Sequence, residues 1–303
     1  MKVLIVSRYK PDFAGNIAPF VKEQADALRL TGVDVEPGLL RGNYFISYIQ
    51  FLRAINRFQP DVIHAHYGLT GLIANLQRKI PVVTTFHGSD LNTPFIAWLS
   101  RLAMRLSAFS VFVSASLWKK ARCPPNSLIL PCGVELTCFR PLPKELARRK
   151  LNLPLDEQLV LFAGSFGNKV KNVELALQVV APLPNVRLME LKGYSRHEVA
   201  LLMNAVDVCL LTSHSEGSPQ FIKEAMACNC PIVSVGVGDV AGLLEELSFA
   251  YCEDSDAAQL RNRLSFLLHH SSRSNGRQKI RKSGLDNEQI ACRLQTLYTA
   301  LLL

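Results

Sequence analysis

Apolar residues along this chain fall into two alternating patterns. Short β-rich runs, apolar at nearly every position, mark buried strands, and stretches with a helical period separate them. In the first half the runs are Lys2–Ser7, Pro60–His66, Pro81–His87, Phe109–Ser114 and Ser127–Pro131. Helical patterns between them cover Ile17–Leu30, Ile46–Phe58 and Phe95–Leu106. The second half restarts the cycle with Gln158–Gly164, Asn185–Leu191, Asp207–Ser213, Cys230–Gly236 and Phe249–Asp254. Alternation of this kind predicts an α/β fold: two Rossmann-like, doubly wound domains facing across a cleft lined by the carboxyl ends of their strands. The stretch Arg140–Gln158, with three prolines and many charges, reads as a hinge or linker. The domains are therefore drawn as residues 1–140 and 141–286, with a terminal helix over 287–303 that joins the second domain or crosses back to the first.

The length of 303 residues suits two such domains. Eight cysteines are scattered without a CxxC pair, several inside apolar runs, as reduced thiols acting as small hydrophobes would be. The first residues show no secretory signal and no stretch has the length of a membrane span, so the expected location is cytoplasmic. Charge is uneven. Residues 1–150 hold 20 Lys/Arg against 9 Asp/Glu, a net of +11, and residues 151–303 hold 14 against 16, a net of −2. A basic first half points to an anionic partner: phosphorylated substrates, an anionic membrane surface or nucleic acid. No nucleic-acid recognition motif or aromatic-basic interleaving is present, so nucleic acid is set aside.

The candidate chemistry sits in SHSEGSPQFIKEAMACNCPIVS, Ser213–Ser234, where Glu216 and Glu224 flank a predicted helix start. Ser218 is a candidate cap for that helix and Pro219 fits its first turn. A helix N-terminus offers free N–H groups and a positive dipole end to an anion. Carboxylates, being acceptors only, suit paired hydroxyls such as sugar or ribose diols. The bland alternative makes Glu216 a loop residue and Glu224 a solvated helix residue beside Lys223.

The segment resembles the EGxPxxxxEAMAxGxPVV signature of family 4 retaining glycosyltransferases, which have the GT-B architecture. Four more segments resemble that family in order: YKPDFAGNIAPFVKEQADAL, the strands PDVIHAHYG and VVTTFHGSD taken as a pair, PCGVELTCFRP, and FAGSFGNKVKNVELAL. The resemblance implies transfer of a sugar from a nucleotide diphosphate sugar, UDP- or GDP-linked, to an acceptor hydroxyl, with retention and without a cofactor or metal. It gives Glu216 the sugar hydroxyls and Glu224 the ribose, with Gly217, Ser218 and Pro219 lining the donor site between them. Lys171, after Gly164, would neutralise the departing diphosphate as a point charge. Ser165 stands where the family usually has a basic residue, so one phosphate contact is replaced. Gly15 would open an anion site before the first helix, and His87 would lie near the reacting centre. His64 and His66 share a face of their strand. With no third ligand at suitable spacing, they are expected to pack or hydrogen-bond rather than hold a metal.

The acceptor implied is a saccharide or a lipid-linked saccharide, in cell-surface polysaccharide, lipopolysaccharide, capsule or glycolipid synthesis. A nucleotide-sugar epimerase of the same architecture and a non-catalytic sugar-nucleotide-binding protein are the rival readings. Phe95–Phe109 gathers Phe95, Trp98, Leu99, Leu102, Leu106 and Phe109 on one helical face, with Arg101 and Arg105 at its edge. Phe45–Phe58 repeats the design with Arg53 and Arg57. Either stripe alone is expected to face its own sheet, but the basic charge makes peripheral contact with the inner face of the plasma membrane a second expectation.

Overall fold

Parallel strands covered by helices on both faces bury every side chain they carry, and the runs VIHAH and VVTTF are buried throughout. The structure, a computed structural model, describes residues 1–11, 16–270 and 272–303. The chain divides into two compact units, Met1–Gly133 with Leu285–Leu303, and Val134–Gly284.

The first unit runs β1 (Lys2–Arg8), α1 (Pro19–Leu30), β2 (Asp34–Leu40), α2 (Tyr44–Phe58), β3 (Val62–His66), α3 (Gly68–Ala74), β4 (Val82–Phe86), α4 (Ser89–Asn92), α5 (Pro94–Leu106), β5 (Phe109–Phe112), α6 (Ala115–Lys120) and β6 (Ser127–Ile129). Its strands are parallel, in the order β2-β1-β3-β4-β5-β6. Strand β2 has no counterpart in the sequence reading. Its DVEPGLL has no clean period, and Pro37 argues against a strand. It lies at the sheet edge, where a residue without an N–H is tolerated. Helix α1 begins at Pro19 rather than Ile17, with proline in its first turn.

The second unit runs α7 (Lys144–Lys150), β7 (Gln158–Phe162), α8 (Val173–Val180), β8 (Val186–Glu190), α9 (Arg196–Ala205), β9 (Val208–Leu211), α10 (Gln220–Ala227), β10 (Ile232–Val235), α11 (Val240–Leu244), β11 (Ala250–Glu253), α12 (Ala257–His269) and α13 (Gly276–Lys282). The parallel order is β11-β10-β9-β7-β8. The proline-rich segment Arg140–Gln158 belongs to this unit and is pinned to it. Arg148, 1% exposed, donates from Nε to Ala205 O at 2.8 Å, from Nη1 to the carbonyls of Pro154, Leu155 and Glu157 at 2.9–3.0 Å, and from Nη2 to Asp207 at 2.9 Å.

Helix α14 (Asn287–Leu302) packs in the first unit. Ile290, Ala291, Leu294, Leu297 and Tyr298 join the core of Val3, Ile5, Val21 and Leu28. The Tyr298 hydroxyl shares a hydrogen bond with His64 Nδ1 at the centre of the sheet. Among the described residues, no helix is long and apolar enough to cross a membrane.

Candidate active site

In the second unit, the carboxyl ends of β7 and β9 carry the loops that hold the predicted acids and lysine. Beyond β7 the chain turns through Gly164 and a single 3-10 turn, Lys169–Lys171. A Cβ at Gly164 would stand 3.1 Å from Lys171 Cγ and 3.3 Å from its Cε, so the lysine stem lies across a position that glycine keeps open. The Thr212 hydroxyl, just past β9, donates to the carbonyls of Lys171 at 3.0 Å and Asn172 at 2.9 Å. His214 N–H donates to Val170 O at 2.9 Å. These bonds fix the two loops together, and the side chains complete the join. Lys171 Nζ donates to Glu216 Oε1 at 2.7 Å, and Ser213 Oγ donates to the same oxygen at 2.8 Å. Lys171 and Glu216 are 20% and 16% exposed, while Lys169 is exposed.

Glu224, four residues into α10, is buried at 4%, and its neighbour Lys223 is fully buried. A solvated-helix reading of Glu224 is therefore excluded. Arg196, at the start of α9, donates from Nη2 to Glu224 Oε1 at 2.6 Å and stacks its guanidinium 4.6 Å from the Phe139 ring centroid. Arg196 was not among the sequence candidates. It lies 28 residues from its partner and carries no motif; only the need of a buried acid for a counter-charge points to such a group.

Ser218 does not cap α10. Pro219 occupies the N-cap position and no side-chain cap bond forms, because the helix starts one residue later than the cap reading requires. The Ser218 hydroxyl instead neighbours Asp239, a second group absent from the sequence candidates. Burial raises the Asp239 pKa, and Ser218 and then Lys223 oppose that shift. Gly238 brings this loop against the α10 start. Its φ is +64°, and a Cβ there would stand 2.5 Å from Gly217 O, so a side chain would be both strained and obstructed. Ser165 faces Glu190. Its hydroxyl, followed by the Phe166 N–H at 2.7 Å, holds that carboxyl below its ordinary range.

In the first unit, His87 follows β4. Asp90, 2% exposed, accepts from His87 N at 2.6 Å and from Gly68 N at 2.7 Å, tying the β3 and β4 ends together. Burial raises the Asp90 pKa, and those two N–H groups oppose it. His64 and His66 stack with centroids 4.7 Å apart, and His66 stacks on His87 at 5.2 Å. His66 Nδ1 lies 3.0 Å from His87 Nε2, and His64 Nε2 lies 2.6 Å from Thr85 Oγ1. Burial lowers the His64 pKa to about 3. His66 is pushed well below the imidazole range by burial first, then by His64 and His87. The pair that the sequence placed on one strand face thus continues to His87, 21 residues from His66, as stacked rings in series. Gly15 lies outside the described residues.

The sequence model of Glycosyltransferase Family 4 matches residues 3–137, and that of glycosyl transferases group 1 matches residues 184–270. A teichuronic acid biosynthesis glycosyltransferase of Bacillus subtilis, TuaC, is 29% identical over 216 residues, which is 61% of this chain and 55% of TuaC. The D-inositol 3-phosphate glycosyltransferase of Thermobispora bispora is 26% identical over 247 residues, 62% of this chain and 58% of that protein. The chain thus spans little more than half the length of these curated relatives. Among solved structures, sucrose-phosphate synthase from Thermosynechococcus elongatus superposes with a TM-score of 0.84 at 18% identity, covering 99% of this chain and 98% of that one. Anabaena HepE in complex with UDP-glucose gives 0.78 at 14% identity, covering 99% and 100%. At those identities the likeness is one of fold.

Proposed function

We propose that the chain is a glycosyltransferase of the family 4 type, with GT-B architecture, as the two family models and the likeness to TuaC support, and that it transfers a sugar from a nucleotide diphosphate sugar to an acceptor hydroxyl. The Lys171–Glu216 pair beside the α10 N-terminus is the observation that carries this reading. Lys171 supplies a positive charge for the donor diphosphate, and the positive dipole end of α10 adds to it. Glu216 takes the sugar hydroxyls, and Glu224, oriented by Arg196, takes the ribose diol. Gly164, Ser165, Gly217, Ser218 and Pro219 line the donor site, and Gly15 is assigned to the same ligand on the family resemblance alone. His87 is assigned to the reacting end, held by Asp90 and stacked on His66.

Glycosyl transfer breaks the bond from the anomeric carbon to the diphosphate and forms one to the acceptor oxygen. The acceptor proton leaves with the departing phosphate. No side chain is assigned as nucleophile, so attack from the leaving-group face, with retention, fits this residue set. The protein's contribution is alignment and stabilisation of charge on the leaving diphosphate, with lysine in place of a metal. A UDP- or GDP-linked donor is in line with the UDP-glucose bound by HepE, and TuaC's role in teichuronic acid biosynthesis favours a saccharide or lipid-linked saccharide acceptor in polysaccharide synthesis. The enzyme would then work in the cytoplasm, at the inner face of the plasma membrane.

A panel of nucleotide sugars with saccharide and lipid-linked acceptors, read by mass spectrometry with EDTA present, tests the proposal. Acceptor-dependent release of nucleoside diphosphate is expected, with the anomeric configuration of the product read by NMR. Interconversion of donor sugars without an acceptor would identify an epimerase instead. Donor binding with no turnover under any condition would leave a sugar-nucleotide-binding protein.

A further inference from the structure

Helix α5 is mounted the wrong way round for a core helix. Its buried side consists of Ala97, Ser100 and Ala103, each 4% exposed or less, and it seats on α3. A Cβ at Gly68 of α3 would stand 2.1 Å from Ser100 Oγ and 3.0 Å from its Cα. The two backbones therefore meet at a distance that only small residues permit. Of the bulky apolar face, where the sequence pattern predicted the core contact, Leu99, Leu106 and Phe109 are half-buried and the other three residues are turned outward. Phe95 is 72% exposed, Trp98 62% and Leu102 38%. At i, i+3 and i+7 they form one stripe. Arg101 and Arg105, both exposed, flank it one turn apart.

The stretch of chain that carries this stripe has exposed charge of a single sign. No Asp or Glu occurs between Asp90 and Glu135, while Arg101, Arg105, Lys119, Lys120 and Arg122 do. Asp90 is buried and its oxygens are taken by backbone N–H groups. The basic end of α6 is held beside the start of α5, since Lys120 Nζ donates to Asn92 Oδ1 at 2.7 Å. Among the described residues, neither Arg101 nor Arg105 has an ion-pair partner. An exposed aromatic stripe beside unopposed positive charge is the chemistry of an interfacial helix. Trp and Phe sit at the headgroup–acyl boundary, and the basic side chains meet lipid phosphates.

We propose that α5, with the basic end of α6, is the surface by which this protein docks on an anionic lipid bilayer. This adds a docking surface to the reading above and is tested without turnover, so either can fail alone. Trp98 and Trp118 are the two tryptophans of the chain, so the full chain carrying Trp118→Phe reports from Trp98 alone. It is titrated with vesicles of phosphatidylcholine, and of phosphatidylcholine mixed with phosphatidylglycerol. Trp98 emission should shift to the blue with the anionic vesicles, and high salt should reverse the shift. Changing Arg101 and Arg105 together to Ser should lower partition about 25-fold, at about fivefold for each basic side chain lost. In the Trp118-containing protein, Phe95→Ser with Trp98→Ser should abolish co-sedimentation while far-UV circular dichroism stays unchanged. Equal partition to both vesicle types, or unshifted emission at saturating anionic lipid, would overturn the proposal. So would lipid-independent dimerisation that the Phe95→Ser, Trp98→Ser variant abolishes, which would assign the face to a second copy of the chain.

Discussion

Removing Lys171 and Glu216 singly and together separates their structural contribution from their catalytic one. At 2.7 Å, two unit charges attract by roughly 1.5 kcal/mol in bulk water and roughly 6 kcal/mol at an effective dielectric constant of about 20. The side chains are 20% and 16% exposed, so the environment lies between those limits, and partial desolvation of both ions offsets much of the gain. A net coupling of about 2 kcal/mol follows. Glu216→Ala leaves Lys171 half-buried without its carboxylate. Lys171→Ala leaves Glu216 the Ser213 hydroxyl at 2.8 Å, so it should destabilise less. Urea unfolding of the four proteins should return that coupling as a non-additive term. Transfer assays should behave differently. Each single variant should lose at least about 100-fold in kcat/KM, which is about 2.7 kcal/mol of transition-state stabilisation, and the double variant should lose little more. A folded Glu216→Ala enzyme with near wild-type transfer would refute the assignment. Strict additivity in urea would refute the ion-pair argument.

Arg148→Met should cost about 3–5 kcal/mol in urea unfolding, because it strands four carbonyls that the guanidinium satisfies and leaves Asp207 only Lys144 and the Leu159 N–H; a loss below about 1 kcal/mol would show that water replaces it. Arg196→Met should raise the donor dissociation constant in calorimetry while sparing kcat, because Glu224 is buried and loses its orienting partner; unchanged donor affinity would remove Glu224 from the ribose site. Acid should weaken the fold through His64. Its imidazole binds a proton near pH 6.5 when unfolded and near 3 when folded, so the stability it confers is complete above 6.5. Stability then falls by up to about 1.4 kcal/mol per pH unit between those values, with His66 acting in the same direction. His64→Gln should flatten that slope in urea titrations between pH 6.5 and 4, and an unchanged slope would show that other groups set it.

Among the described residues, ten of the eleven strands are legible as apolar runs, the inner ones because a parallel strand covered on both faces has no polar side to interrupt it. The eleventh, β2, escapes because an edge strand needs neither a full apolar run nor every N–H. The motifs around the candidates Glu216, Glu224 and Lys171 are legible as well, since each lies within a single stretch of chain. What the sequence could not supply is the partner of each group. Lys171 and Glu216 are 45 residues apart, Arg196 and Glu224 28, and His64 and Tyr298 234; such pairs are set by strand order and by which helix end meets which loop. The terminal helix could have joined either domain on pattern alone, and burial of Tyr298 against His64 decides for the first unit. Helix α5 is the sharpest case. Its period marks two candidate faces, one bulky and one of small residues, and hydrophobicity favours the bulky one for the core. The glycine at the start of α3 decides otherwise, because two backbones that meet at Gly68 and Ser100 leave room only for small side chains between them, and that close contact exists only once both helices are in place.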